Sequence, residues 1–218
     1  MQLEELKAFP DVTFMKMCDT GEWFKQQFPD KTPATSVSAL DDWATNHAVQ
    51  SVYYDCQNYM ANIIRHDTCI SIRYFYLFNE RIAENYLDIP CDTWDATYEN
   101  LPVVNTFLWQ ENGHDNKGLI LDEQGCPFTI EKTTDQTLSV KWQEKSVLFS
   151  ETEIRIHHLK QLIFDFTGST AEIDLVENII MFHYKNSDYR IIISGAKLQK
   201  IESGCIIEAI EDDIVITF

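Results

Sequence analysis

Residues 38–65 read "SALDDWATNHAVQSVYYDCQNYMANIIR", and the fold turns on whether this stretch is one long helix or a set of strands. Ser38 is a good helix N-cap and Asp41 stands three residues on, close to a capping box. Ala44, Ala48, Val52, Tyr59 and Ile63 form one apolar stripe at helical spacing. Val49, Tyr53, Cys56, Met60 and Ile64 form a neighbouring one. Read this way, the stretch predicts a long helix with a broad apolar face.

Working outward, "HDTCISIRYFYLFNERIAENYLDIP" (66–90) offers Asp67 or Thr68 as a cap and Pro90 as a stop. Its first part, Cys69 to Phe78, is aromatic and β-branched enough for a strand, whereas "NERIAENYL" is helical in composition. Being apolar almost all round, the whole is read as a buried helix. "GEWFKQQF" (21–28) predicts a short helix after a tight turn at "FPDV". From Val103 onward the apolar residues alternate. "VVNTFLWQ", "GLILDEQGCPFTIEK", "LSVKWQEKSVLFS", "AEIDLVENIIMFHYK", "YRIIIS" and "CIIEAIEDDIVITF" give nine or ten short strands separated by turn residues. The expectation is an α+β chain: a mainly helical region over 1–100, packed on an antiparallel β-sandwich or open barrel over 101–218. The two regions are expected to form one cooperative unit.

The chain has 218 residues and 44% hydrophobic content, enough for a sizeable core. Its charge is unusual: 35 acids face 17 bases, a formal net of −18. Residues 1–100 and 101–218 each contribute −9, so the excess is spread over the body and is not a tail. Such a surface repels nucleic acid and anionic lipid, and it attracts basic proteins and speeds their encounter. Neither a nucleic-acid nor a membrane partner is expected. "MQLEELKAFPDV" carries acids where a secretory signal needs bases, and no apolar run reaches the length of a membrane span. The six cysteines (Cys18, Cys56, Cys69, Cys91, Cys126, Cys205) lie far apart without a C-x-x-C pair. They read as reduced thiols in a cytoplasmic protein.

Residues of catalytic type are present without catalytic patterns. The string "LIFDFTGST" (162–170) resembles the first motif of the haloacid-dehalogenase phosphatases, a hydrophobic strand followed by D-x-D-G-T. The resemblance would put Asp165 at that family's nucleophilic carboxylate and Gly168 and Ser169 on its G-T. Thr167 stands where the family has its second aspartate. The match covers nine residues and is followed by about fifty β-rich ones, not by parallel β-α units, so the string is read as a strand-end turn. His157 and His158 are adjacent, and neighbours in a strand face opposite ways, so they cannot share a metal through that segment alone. One is expected to face the core and the other water. There is no H-E-x-x-H, Walker A loop, G-x-S-x-G or G-x-G-x-x-G. Cys126 and Cys205 follow glycines near turns and read as small apolar residues. No metal and no cofactor is expected.

The most lopsided segment is "DIPCDTWDATYEN" (88–100), within a span from Arg81 to Lys117 that has no base between its ends. Asp88, Asp92, Asp95, Glu99, Glu111 and Asp115 stand among Trp94, Tyr98 and Trp109. Rings for contact and carboxylates for steering are what a surface for a basic protein uses. Glu211, Asp212 and Asp213 form a second acidic patch. The leading expectation is an acidic binding protein that masks a basic toxin or effector. Its most concrete form is an immunity protein covering the cationic groove of a nuclease. The alternatives are a metal-dependent phosphoesterase with a carboxylate site, and an acidic accessory subunit or secretion chaperone.

Overall fold

The structure, a computed structural model, describes residues 5–40, 49–83, 86, 88–92, 100–109, 115–132, 134 and 136–218. The chain divides into two compact units, Met1–Pro33 and Ala34–Phe218. The first holds helix α1 (Met17–Gln27), which has Asp19 in its first turn and Lys25 in its last, both favourable to the helix dipole. None of its residues is buried.

Among the described residues, the second unit is all β. Its strands are β1 (Thr35–Ala39), β2 (Gln50–Asp55), β3 (Tyr59–His66), β4 (Cys69–Leu77), β5 (Leu101–Asn105), β6 (Leu119–Asp122), β7 (Thr129–Lys132), β8 (Leu138–Trp142) and β9 (Lys145–Phe149). They continue with β10 (Glu153–His157), β11 (Gln161–Asp165), β12 (Ala171–Asp174), β13 (Ile179–Tyr184), β14 (Ser187–Ser194), β15 (Ala196–Ile201), β16 (Gly204–Ala209) and β17 (Asp213–Thr217). One sheet runs β1-β2-β3-β4-β6-β11-β16-β15, with β5 also on β4; the other runs β12-β13-β14-β17-β10-β9-β8-β7.

This overturns the expectation of helices packed on a sandwich. The predicted helix over 38–65 is an antiparallel hairpin, β2 and β3, that pairs Val52 with Ile63 and Tyr54 with Ala61. Residues 41–48 of that reading lie outside the described residues. The predicted buried helix over 66–90 is strand β4 followed by a turn, and the described part of "NERIAENYL" is not helical. The physical reason is period. Val52, Tyr54, Tyr59, Ala61 and Ile63 are all buried at every second position, with exposed or half-buried residues between them except Asn62, which is buried and bonded to the Ser51 hydroxyl and the Val52 carbonyl. Strands from both sides of Leu101 pair on β4, so the change in sequence character there is not a break in the sheet.

The two sheets close on one core. Val52, Ile63, Ile72 and Phe75 from the first meet Val140, Trp142, Phe149, Ile156, Ile193 and Ile216 from the second, all at 2% exposure or less. Burying each such side chain stabilises the fold by roughly 1.5–3 kcal/mol. Rings interlock across the gap: Tyr54 stacks on Phe149 at 5.7 Å, and Tyr59 meets Phe218 edge-on at 4.9 Å. Their hydroxyls donate across it as well, Tyr54 to the Gln136 carbonyl at 2.6 Å and Tyr59 to the Ser150 carbonyl at 2.7 Å.

β5 and β6 follow one another along the same edge of β4. Leu101 to Asn105 lie opposite Leu77 to Tyr74, and Leu119 to Asp122 lie opposite Ile72 to Ile70. They form a single strand lane from which residues 106–118 leave and return. The Thr106 N–H donates to the Arg73 carbonyl at 3.2 Å, continuing the ladder to the exit point. A methyl group on Gly118 would lie 2.5 Å from the Ile72 carbonyl and 3.0 Å from the Thr106 side chain. The two ends of the excursion therefore touch.

Candidate partner-binding end of the sandwich

Three tight connections lie side by side at one end of the sandwich: 175–178 between β12 and β13, Gly195 between β14 and β15, and 210–212 between β16 and β17. Each is fixed by its own chemistry. The Asp174 carboxylate accepts from the N–H of Val176 at 2.9 Å and of Glu177 at 3.1 Å, an Asx turn. The Asn178 amide donates to the Ala196 carbonyl at 3.2 Å. The Gly195 carbonyl accepts from Ile210 N–H at 2.9 Å and Glu211 N–H at 3.2 Å. Gly195 has φ +74°, and a Cβ there would sit 2.0 Å from the Asp213 carbonyl oxygen, so only glycine fits.

What these turns display is apolar and acidic. Val176 is 86% exposed, Ile210 58% and Leu175 50%. Asp174, Glu177, Glu211 and Asp212 are exposed around them. Asp213 differs: its carboxylate meets His157 Nδ1 at 2.6 Å and Arg155 Nη1 at 3.4 Å. Burial pushes its pKa up, but the bonds to His157 and Arg155 outweigh that and hold it below the usual carboxylate value.

Beside the turns lies a hollow of about 590 Å³, lined by Asp122, Glu123, Lys145, His158 and Lys160 among others. It adjoins them through the His158 N–H, which donates to the Asp212 carbonyl at 3.2 Å. At its wall the Asp122 carboxylate accepts from Lys145 Nζ at 2.6 Å, the Trp142 indole N–H at 2.9 Å and the Gln124 N–H at 3.0 Å. Burial raises the Asp122 pKa, and these three donors together lower it further than burial raises it.

Of the residues expected to bind a partner, the described ones lie in different places. Trp94, Asp95, Tyr98, Glu99 and Glu111 lie outside the described residues. Asp88 and Asp92 are exposed. Trp109, expected to offer its ring, is buried at 5% exposure and packs in the core. Asp115 lines a different hollow, with Ser71 and Arg73 of β4, and so lies apart from the turn of Glu211 and Asp212. Among the described residues of the two acidic patches, that turn belongs to the end described above. Sequence reasoning missed Asp174, Leu175, Val176, Glu177 and Ile210. The first four lie in "DLVEN" (174–178), two apolar residues between acids, and Ile210 in "EAIEDD" (208–213), but neither string by itself says which side chains the turn exposes.

No protein-family model, curated protein or solved structure matches this chain.

The other expected sites resolve locally. Asp165 is buried at the end of β11, where its carboxylate accepts from the Thr167 N–H at 3.0 Å in a strand-end turn. His157 is half-buried on the outer face of its sheet and His158 is exposed with φ +57°, so neither faces the core as expected of one of them. The Cys205 thiol is buried, which pushes its pKa up to about 12, far from a reactive thiolate. Among the described residues, no group of three or more His, Cys, Asp or Glu is placed to share a metal ion, and no helix is long and apolar enough to cross a membrane.

Proposed function

We propose that this chain is a binding protein that docks a basic protein through the three-turn end of its sandwich. In its most concrete form it is an immunity protein of the cytoplasm, covering the cationic groove of a toxin such as a nuclease. The observation that carries the reading is Val176 and Ile210, held outward on braced turns among Asp174, Glu177, Glu211 and Asp212. Apolar side chains on rigid turns bury area on docking with little ordering cost. The ring of acids steers a cationic partner into register, each exposed ion pair adding at most about 1 kcal/mol. Residues 34–218 carry 29 acids against 13 bases, so the long-range field of the sandwich favours the same class of partner.

The test is affinity capture on the immobilised chain from its native host, followed by titration of any retained protein. The expected result is a basic protein whose affinity falls at least tenfold between 50 and 500 mM salt, a range chosen about the regime where screening sets in. Val176→Ser with Ile210→Ser is expected to weaken it by another tenfold or more, and Asp212→Lys to slow its association. If no basic protein is retained, or if both sets of variants bind as the wild type does, the reading fails.

A further inference from the structure

In a chain with two acids for every base, each base has carboxylates to choose from, and some of those on the second sheet take one. Lys141 pairs with Glu131, and Arg155 pairs with Glu153 and Asp213. Arg73 and Lys117, on the other sheet's side, do not. Arg73 makes one hydrogen bond, from Nε to the Thr106 hydroxyl at 3.2 Å, which leaves the outer edge of its guanidinium without a carboxylate among the described residues. Lys117 makes no ion pair among them either. Both line one hollow of about 250 Å³, together with His66, Cys69 and Ser71.

The hollow is held in place by the structure around it. Ser71 is buried at 4% exposure on β4. His66 and Cys69 face each other across the β3–β4 hairpin. The backbone that carries Lys117 is pinned by Asn116, whose amide donates to the Thr167 carbonyl at 3.0 Å and whose oxygen accepts from the Gly118 N–H at 2.8 Å. Arg73 is aimed by its bond to Thr106, where the 106–118 excursion leaves the sheet. Asp115 stands at the same hollow. The lining itself holds two permanent cations and one carboxylate. Both cations reach the Cys69 thiol: burial raises its pKa, Lys117 and Arg73 oppose the rise, and Glu123 and Asp122 add to it.

We propose that this hollow binds a small phosphorylated ligand, with Arg73 and Lys117 holding the phosphoryl oxygens and the Ser71 hydroxyl donating a third hydrogen bond. Arg gives a planar fork for two oxygens and Lys a point charge for another. Carboxylates more than a Debye length of about 8–10 Å from the hollow are largely screened, so short-range contacts govern binding. Asp115 limits the affinity for a fully charged anion. The site is separate from the three-turn end, and neither proposal rests on the other.

The experiment uses inorganic phosphate as the probe on the full chain, followed by thermal shift and calorimetry, with sodium chloride at matched ionic strength as control. Saturable stabilisation by phosphate and not by chloride is expected. Arg73→Met and Lys117→Met should each weaken binding at least tenfold, and Asp115→Asn should tighten it. As a second readout that needs no variant, phosphate should slow alkylation of Cys69 by iodoacetamide several-fold. Absence of saturable binding overturns the proposal, as does binding left unchanged in folded Lys117→Met and Asp115→Asn proteins. Alkylation of Cys69 that proceeds equally fast in saturating phosphate counts against this location and also overturns it.

Discussion

The indole N–H of Trp142, on one sheet, donates to the carboxylate of Asp122, on the other, at 2.9 Å. Lys145 Nζ reaches the same carboxylate oxygen at 2.6 Å. This three-residue junction ties the sheets together beside the turns at one end of the sandwich. Asp122→Asn keeps an acceptor for the indole but removes the charge opposite Lys145, and it should destabilise by about 1–3 kcal/mol. The carboxylate has its pKa lowered in the folded state from an ordinary 3.8. Its contribution is therefore complete above that ordinary value and is lost as pH falls through the lower, folded one. Urea unfolding of wild type and variant across pH 2–7 checks this: the gap between the curves should close on acidification.

Tyr54 and Tyr59 bond across the sheets near the opposite end. Replacing either by Phe leaves the ring packing intact and deletes one hydrogen bond, for a loss of about 0.5–1.5 kcal/mol each. The two rings lie 5.5 Å apart, so the double variant should deviate from additivity. Chemical denaturation of the set of four proteins measures the coupling.

Gly195→Ala meets both a left-handed φ and a backbone oxygen 2.0 Å from the new methyl. Adopting that conformation with a side chain costs roughly 1–2 kcal/mol before any clash. A loss above about 2 kcal/mol is expected, along with weaker capture of a partner, because Ile210 and Glu211 hang from the Gly195 carbonyl. Calorimetric melting and the binding titration read the two effects separately.

Val176→Ser should leave stability within about 0.5 kcal/mol of wild type, since the side chain is 86% exposed. The melting temperature should hold while partner affinity falls. A large drop in melting temperature would show that Val176 packs within the fold.

Three of the four outermost strands carry charge that discourages edge-to-edge pairing: Glu131 on β7, Glu172 and Asp174 on β12, and Lys197 and Lys200 on β15. β1, "TSVSA", carries none, and its Val37 is 70% exposed. Val37→Lys is expected to suppress aggregation on heating, read by light scattering, with little change in melting temperature.

The helical reading of 38–65 failed for a reason visible in its own stripes. Spacings of four residues satisfy a helix and a strand equally, because four is close to one helical turn and is also two strand repeats. Tyr59 and Ile63 fit both, as do Met60 and Ile64. Composition separates the two cases: Val52, Tyr53, Tyr54, Ile63 and Ile64 are β-branched or aromatic, and Gln57–Asn58 is a turn. The same residue types marked Cys69–Phe78 as strand-like, and there they decided the outcome. Beyond Leu101 the alternation located most strands, but neighbouring segments in sequence often joined different sheets. β6 and β7 do so, as do β16 and β17, because a sandwich alternates layers in a way no local pattern records. The acids at 211–212 stand out by charge in the sequence, and the structure exposes both. Val176 was not, since its role comes from the turn that exposes it.

The lane shared by β5 and β6 has a consequence for how this protein can vary. With Thr106 and Gly118 touching, whatever chain runs between them begins and ends at one point of an otherwise complete sheet. Closing such a loop costs little more when it is long than when it is short. That seam is a socket: polypeptide can be exchanged there while the surrounding ladder stays in register.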